Sequence, residues 1–270
     1  MAMKKHSVVA KKKYGQNFLQ DERVLRKIVE AMPKNDNKIV EIGPGLGDLT
    51  KFLVDVKSVE AFEVDTDLCK LLQNKFEKEI ATKQLHLNCG DVLTAWKSEL
   101  IEESYDLVAN LPYYIATNII LKALADSKCK NILVMVQLEV AEKFCANEGD
   151  KVFGSLSIIT QSVGEAHIVV KVPPTAFEPQ PKIDSAVFLI QKKSDRCDKD
   201  FEDMLRVAFT QPRKTLMKNL SAMYEKNLLQ EAFNKLGLTQ TIRPHQVSTL
   251  DYHQLYKLTR SLDGTRESGN

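Results

Sequence analysis

The chain has 270 residues, 43% hydrophobic and 27% charged, enough for one large core or for a large domain with a smaller one. Its net charge is only +2, which excludes a uniformly basic protein. No apolar run reaches the length of a membrane span and the N-terminus lacks an apolar signal region, so we expect a cytoplasmic protein without membrane association. The five cysteines lack C-x-x-C spacing and the five histidines are dispersed, so we expect free thiols and no metal site.

The chain begins with a basic stretch. Residues 1–13 contain no acid and carry Lys4, Lys5, Lys11, Lys12 and Lys13. Such a stretch is either a solvated tail or a basic arm that lies on RNA phosphates. We take Lys11, Lys12 and Lys13 as the candidate RNA contacts.

A glycine turn follows the first predicted strand, residues 38–42. Residues 43–47 read Gly-Pro-Gly-Leu-Gly, and residues 48–53 have helical apolar spacing. Strand, glycine turn and helix form the first unit of a doubly wound sheet. Gly43 and Gly45 let the backbone turn sharply and approach a ligand, so we predict that they bind a cofactor.

The spacing in this turn argues against a nicotinamide cofactor. A dinucleotide fingerprint needs its third glycine at position 48, but that residue is Asp48, and an acid at a pyrophosphate-binding helix start repels the ligand. S-adenosylmethionine has no phosphate and is compatible with the same turn. Glu63, at the end of the next predicted strand (residues 59–64), is placed to accept hydrogen bonds from both hydroxyls of a ribose.

A third strand end carries another acid. Residues 85–92 read as a strand and a turn, in which Asp91 is placed to accept a hydrogen bond from an adenine amino group. The alternative for Asp91 is a turn residue or a helix N-cap. Because ligands of open α/β sheets bind at the carboxyl ends of the strands, we expect Gly43, Glu63, Asp91 and Asn110 to share one site.

The tetrapeptide Asn110-Leu111-Pro112-Tyr113 ends a predicted buried strand, residues 105–109. The lone pair of an adenine amino group is delocalised into the ring, so the nitrogen is a poor nucleophile. If the Asn110 side-chain oxygen and the Leu111 carbonyl accept its two N–H groups, they favour a pyramidal nitrogen and aim the lone pair at a methyl donor. Tyr113 then stacks on a base that has left its helical stack. The alternative is a strand that ends in a turn, with Tyr113 in the core.

Beyond this motif, strands alternate with helices as far as residue 137. Residues 156–159, 166–172 and 185–190 give three more strand-like runs, and the last two suggest an antiparallel pair at the end of the sheet. The Pro-rich loop between them stiffens the chain, so it can hold Phe177 exposed as a second wall opposite Tyr113. A core position is the alternative for Phe177.

The last part of the chain reads as helical. Residues 191–200 form a polar linker, and helices are predicted at residues 201–210, 215–224, 228–236 and 252–262. Residues 206–218 contain no acid and carry Arg206, Arg213, Lys214 and Lys218. They are either a solvated helix face or RNA contacts.

Together these motifs resemble the ribosomal RNA adenine dimethyltransferase family, and more narrowly its bacterial small-subunit members. The likeness spans nearly the whole chain, in residues 14–19, 41–50, 62–65, 110–113, 172–187 and 213–216. It departs from the family pattern at Tyr114, where relatives often carry Asn, and at Pro212, where another basic residue is frequent. These departures concern the entrance to the base pocket and one RNA contact.

The resemblance implies an α/β fold with two domains. Residues 1–192 would form a Rossmann-like S-adenosylmethionine-dependent methyltransferase domain with a seven-stranded, mostly parallel sheet, and residues 193–270 a small all-helical RNA-binding domain. Asn17, Leu19, Gly43, Glu63, Asp91 and Asn110 would contact the cofactor. Asn110, Tyr113 and Phe177 would handle the base, while Arg206, Arg213 and Lys214 would contact RNA.

The implied reaction is dimethylation of the amino group of adenosines in 16S rRNA, within an immature 30S subunit, by a monomer that needs no metal. Three alternatives remain. One is the large-subunit enzyme of the same superfamily, against which residues 172–187 and 213–216 argue. Another is a glutamine methyltransferase, which residues 16–19 disfavour. The third is an assembly factor of the small subunit whose binding matters more than its chemistry.

Overall fold

The computed structural model describes residue 11, residues 16–194 and residues 199–267, with side chains as far as residue 261. Lys12 and Lys13, two of the predicted RNA contacts, and Cys197 lie outside the described residues. None of the described helices combines the length and the apolar composition that a bilayer crossing requires.

Nine strands and twelve α-helices are found among the described residues. The strands are β1 (Phe18–Leu19), β2 (Lys38–Ile42), β3 (Val59–Glu63), β4 (Leu85–Cys89), β5 (Tyr105–Asn110), β6 (Cys129–Gln137), β7 (Gly164–Val172), β8 (Phe177–Glu178) and β9 (Ser185–Lys192). The helices are α1 (Glu22–Glu30), α2 (Asp48–Val54), α3 (Thr66–Lys75), α4 (Glu77–Ala81), α5 (Val92–Ala95), α6 (Ala116–Ala125), α7 (Leu138–Cys145), α8 (Ser155–Val163), α9 (Lys199–Ala208), α10 (Leu216–Leu220), α11 (Lys226–Leu236) and α12 (Thr249–Glu267).

Seven of these strands form one sheet in the order β4-β3-β2-β5-β6-β9-β7. The pairs from β4 to β6 are parallel, and β9 runs antiparallel to β6. The predicted seven-stranded, mostly parallel sheet is therefore confirmed. Strands β2 and β5 are buried along nearly their whole length, as expected for parallel strands covered on both faces. A separate two-stranded sheet pairs β1 with β8.

The predicted strand at residues 156–159 is wrong, because these residues lie in helix α8. A short apolar run cannot by periodicity alone be assigned to a strand or a helix. The first turn of this helix is fixed by Ser157, whose Oγ accepts a hydrogen bond from the backbone of Gly154 at 3.1 Å and donates one to the carbonyl of Lys143 at 2.6 Å.

The chain forms two compact units, and their division differs from the predicted domains. The first unit comprises Met1–Ala141 and His167–Lys192, and the second comprises Glu142–Ala166 and Lys193–Asn270. Residues 142–166, which we assigned to the methyltransferase domain, pack with the C-terminal helices instead. The predicted linker at residues 191–200 begins with the last two residues of β9.

The expectation of free thiols is wrong for two cysteines. Cys69 of α3 and Cys89 at the end of β4 form a disulfide, with Cα atoms 6.0 Å apart. Spacing motifs did not reveal this pair because the fold, rather than the sequence, brings the two residues together. Cys129 and Cys145 are free, and burial raises the pKa of each thiol to about 12.

Candidate active site

A cavity of about 280 Å³ lies at the carboxyl ends of β2, β3, β4 and β5. It brings together most of the residues predicted for the cofactor and the base, since parallel strands present their carboxyl ends at one edge. The predicted residues that line it are Asn17, Leu19, Gly43, Gly45, Glu63, Asp91, Asn110, Leu111, Pro112 and Tyr113.

The glycine turn after β2 forms one wall of the cavity. Gly45 has φ +62°, and a Cβ added there would lie 3.1 Å from Cδ1 of Phe18. Gly47 has φ +77°, and a Cβ there would lie 2.5 Å from Cε2 of Phe76. Both positions therefore require glycine, for backbone conformation and for space. Gly47 begins α2 and allows close packing against Phe76. Its role is therefore structural, and it differs from the third glycine of a dinucleotide fingerprint, which would lie at position 48.

Glu63 lies at the end of β3 and is almost completely buried. Its Oε2 accepts a hydrogen bond from the backbone of Gly45 at 3.1 Å, and its Oε1 accepts one from the backbone of Asp65 at 2.9 Å. Burial raises the pKa of this carboxyl. A carboxylate has about four acceptor sites, so these two bonds orient the group and leave acceptor capacity for a ligand.

Glu41 was not among the predicted site residues. It lies in β2, is 1% exposed and lines the cavity. Among the described residues, its Oε2 and the nearby hydroxyl of Thr50 are the buried side-chain atoms without a hydrogen-bond partner. Burial raises the pKa of Glu41 to about 8. The available signal was an acid inside an otherwise apolar strand, since a buried carboxyl normally has a partner.

Asn110 is the last residue of β5, and its amide is oriented by the N-terminal segment. Its Nδ2 donates a hydrogen bond to the carbonyl oxygen of Asn17 at 3.2 Å. The next residue, Leu111, is buried, and its backbone donates to the carbonyl of Met135 at 3.1 Å. The motif is therefore anchored at both residues that we predict to accept the amine.

Tyr113 lines the cavity and is half-buried. Its hydroxyl lies 2.6 Å from Oγ of Ser185, and burial raises its pKa. Burial thus favours the neutral phenol, and the contact with Ser185 fixes the tip of the ring. Tyr114, the residue that departs from the family pattern, also lines the cavity and is largely exposed.

Both interpretations of Asp91 find support. Its side chain caps α5 by accepting a hydrogen bond from the backbone of Leu93 at 2.9 Å, as the N-cap alternative predicts. The residue is exposed and also lines the cavity. A cap and a ligand contact are compatible, because one carboxylate can accept several hydrogen bonds.

The expected exposure of Phe177 is wrong. Its side chain is 3% exposed and lies in the hydrophobic core cluster, and it is absent from the described lining of the cavity. The reason is strand pairing: residues 177–178 form β8, in which Phe177 pairs with Leu19 of β1. The structure thus favours the core alternative for this residue.

The predicted RNA contacts have different environments. The Lys11 ammonium is paired with Asp65 and Asp67, so an RNA phosphate would compete with two carboxylates for it. Arg206 is exposed and forms an ion pair with Asp203. Arg213 and Lys214 are exposed in the turn between α9 and α10, not in a helix.

Comparison with known proteins identifies the family of this chain. Residues 8–261 match the family described as Ribosomal RNA adenine dimethylase. The chain belongs to this family. Its members dimethylate adenine in ribosomal RNA, and the chain is an enzyme of this kind with a Rossmann-like fold.

Individual relatives give a finer picture. A protein of Sulfurimonas denitrificans named Ribosomal RNA small subunit methyltransferase A is 88% identical over 260 residues, covering 96% of this chain and 97% of that protein. The crystal structure of the 23S rRNA methyltransferase ErmE has a TM-score of 0.70 at 26% identity, covering 90% of this chain and 100% of that one. A dimethyladenosine transferase from Plasmodium falciparum has a TM-score of 0.77 at 24% identity, covering 90% and 98%, which is a likeness of fold.

Proposed function

We propose that this enzyme transfers two methyl groups from S-adenosylmethionine to the amino nitrogen of adenosines in 16S rRNA, within an immature 30S subunit. The observation that carries the proposal is the position of Asn110 and Leu111. Both lie on the wall of a cavity whose buried acids can hold a cofactor, and both are anchored by hydrogen bonds to neighbouring segments.

The cavity is chemically suited to S-adenosylmethionine. Glu63 has acceptor capacity for the ribose hydroxyls, Asp91 can accept from the adenine amine, and Glu41 brings a buried carboxyl to a cofactor that carries positive charge. Asp48 at the start of α2 also lines the cavity, so a phosphate-bearing cofactor is disfavoured there. When bound, S-adenosylmethionine supplies an electrophilic methyl group.

The chain's own residues then act on the adenine. The Asn110 side-chain oxygen and the Leu111 carbonyl accept hydrogen bonds from the amine and favour a pyramidal nitrogen. Tyr113 stacks on the base and limits its movement. These groups require no metal and no covalent enzyme intermediate.

We favour the small subunit over the large one as the substrate, because the relative with the small-subunit name is 88% identical to this chain, whereas the 23S rRNA methyltransferase ErmE is 26% identical. Arg213 and Lys214 are exposed and are proposed to contact phosphate groups of this RNA. We also propose that the enzyme acts as a monomer. Acting on ribosomal subunits places the enzyme in the cytoplasm.

The test is methylation of purified 30S and 50S subunits from cells that lack this gene, with dimethyladenosine mapped by mass spectrometry. We expect dimethyladenosine in 16S rRNA, in greater yield from immature 30S subunits. Modification of 23S rRNA alone would indicate the large-subunit alternative. Tight binding to immature subunits without any methylation would indicate the assembly-factor alternative.

A further inference from the structure

The strongest unassigned feature of the site is the set of contacts around Lys11. Its Nζ lies 2.7 Å from Oδ1 of Asp65 and 2.6 Å from Oδ2 of Asp67. Its backbone N–H donates to Oε1 of Gln16 at 2.7 Å, and the Nε2 of Gln16 donates to Oδ2 of Asp65 at 3.1 Å. Lys11 and Gln16 thus bind one carboxylate together.

That carboxylate belongs to Asp65, which directly follows Glu63 and Val64, two residues that line the cofactor cavity. Asp65 is 1% exposed and caps α3 through the backbone of Asp67, at 3.0 Å. Burial raises the pKa of its carboxyl, but the hydrogen bonds from Lys11, Gln16 and Asp67 outweigh burial and lower it, so the group is charged at neutral pH. The backbone of Asp65 also donates to Glu63 at 2.9 Å. Asp65 therefore links Lys11 to Glu63, the acid assigned to the ribose.

The same N-terminal segment reaches the catalytic motif. Gln16 and Asn17 line the cavity, and the carbonyl of Asn17 accepts the hydrogen bond from Nδ2 of Asn110 at 3.2 Å. Beyond Asn17, Leu19 is fixed by the pairing of β1 with β8. Residues 16–19 are thus held at one end by β1 and at the other by the Gln16–Asp65 and Lys11–Asp65 bonds.

We propose that Lys11 is a positioning residue, whose ion pair with Asp65 and Asp67 holds Gln16 and Asn17 against the cavity and thereby orients the Asn110 amide. The inference rests on the proposed function, since it assigns Lys11 to the cofactor and amine site. It also replaces the expectation that Lys11 binds RNA phosphate. An isolated surface ion pair contributes little, but here one partner is a buried carboxylate that also caps a helix.

The test compares Lys11→Met, Lys11→Arg, Asp67→Asn and the double variant Lys11→Met/Asp67→Asn, with Lys27→Met, at an exposed lysine of α1 outside the cavity lining, as the control. Cofactor affinity is measured by calorimetry without RNA, and kcat is measured at saturating 30S subunits and cofactor. We expect Lys11→Met to weaken cofactor affinity and to lower kcat by about tenfold, because misplacing a reacting group is costly.

The remaining variants test whether the loss comes from the ion pair. Lys11→Arg should restore most of the loss, Asp67→Asn should reproduce part of it, and the double variant should lose less than the sum of the single losses. Lys27→Met should leave RNA-free cofactor affinity unchanged. If Lys11→Met instead raises KM for the subunits and leaves kcat and cofactor affinity intact, Lys11 is a phosphate contact and the inference is wrong. Failure of the wild-type protein to bind S-adenosylmethionine would instead contradict the proposed function.

Discussion

Buried acids lie at both ends of the parallel strands of the seven-stranded sheet. We call the side at which the strands begin the amino edge and the side at which they end the carboxyl edge. The hydrogen-bond partners of the acids differ between the two. At the amino edge, Oδ2 of Asp106 in β5 accepts from Asn35 at 2.9 Å, and its Oδ1 accepts from Asn37 at 3.0 Å and from Asn131 at 2.7 Å. Just before β6, Asp126 accepts hydrogen bonds through both carboxylate oxygens. Its donors are Trp96, Leu100, Tyr105 and Lys128.

At the carboxyl edge, the two buried acids that line the cavity, Glu41 and Glu63, are incompletely paired, whereas Asp65, which does not line it, is paired with Lys11, Gln16 and Asp67. Glu63 receives two backbone N–H groups in the part of the chain that the structure describes, and Oε2 of Glu41 receives none. Leaving a buried carboxyl unpaired is costly, so a ligand that pairs with Glu41 would recover part of that free energy. Pairing therefore distinguishes the two cavity-lining acids, which we expect to meet a ligand, from Asp65, Asp106 and Asp126, whose carboxylates are paired within the fold.

Two asparagines at opposite edges give the largest predicted contrast. Asn110→Ala should lower kcat by about 10²–10³-fold, because it removes a hydrogen bond that acts chiefly in the transition state, while cofactor affinity changes little. Asn131→Ala should lower stability and leave kcat of the folded protein intact. Single-turnover methylation of 30S subunits measures the rate of the chemical step for both variants, and urea denaturation measures the stability of Asn131→Ala. Wild-type turnover by Asn110→Ala would overturn the catalytic assignment.

Two glutamates of β3 provide the next contrast. Glu63→Gln should weaken S-adenosylmethionine binding by about tenfold or more, since charge-assisted hydrogen bonds to the ribose are lost. RNA affinity should not change. Glu60→Gln is the matched control, because Glu60 contacts Asn88 and lies outside the described lining of the cavity. Equal cofactor affinity of both variants in calorimetry would mean that the ribose is held elsewhere.

The amino edge should respond in the opposite way. Asp106→Asn confronts the amide donors of Asn35, Asn37 and Asn131 with another amide, and we expect a loss of about 1–3 kcal/mol in the free energy of unfolding. Urea denaturation measures this loss. Cofactor affinity of the folded variant should match the wild type. A large fall in that affinity would show that the two edges are not functionally separate.

The cofactor edge was largely predictable because its determinants are local. The strand Lys38–Ile42 and the start of α2 at Asp48 were predicted with the observed bounds, since a short apolar run is followed at once by three glycines in five residues. Once the parallel strands were recognised, their carboxyl ends had to meet, and Glu63, Asp91 and Asn110 lie on one cavity as expected.

The errors involve contacts that local patterns do not contain. The carboxylate partner of Lys11, Asp65, lies 54 positions further along the sequence. Phe177 is buried through the pairing of β8 with β1. The apolar run in α8 was too short to show its period. Glu41 was missed because its significance is the lack of a partner, which is a property of the folded environment.

Glu41 allows the carboxyl edge to be tested by pH. Its pKa is raised by burial from 4.5 to about 8, so between these values the folded state holds a proton that the unfolded state has released. Stability without cofactor should therefore fall as pH rises across this interval, by at most about 1.4 kcal/mol per pH unit, and become independent of this group below and above it.

Glu41→Gln removes this titration, so the variant should gain stability relative to the wild type as pH rises from about 5 to 8. Urea denaturation of both proteins across this range measures the difference. With saturating S-adenosylmethionine the advantage should reverse, because the cofactor's positive charge favours the ionised carboxylate that only the wild type has. If the difference in stability between Glu41→Gln and the wild type were independent of both pH and cofactor, Glu41 would be an ordinary buried acid, like those at the amino edge.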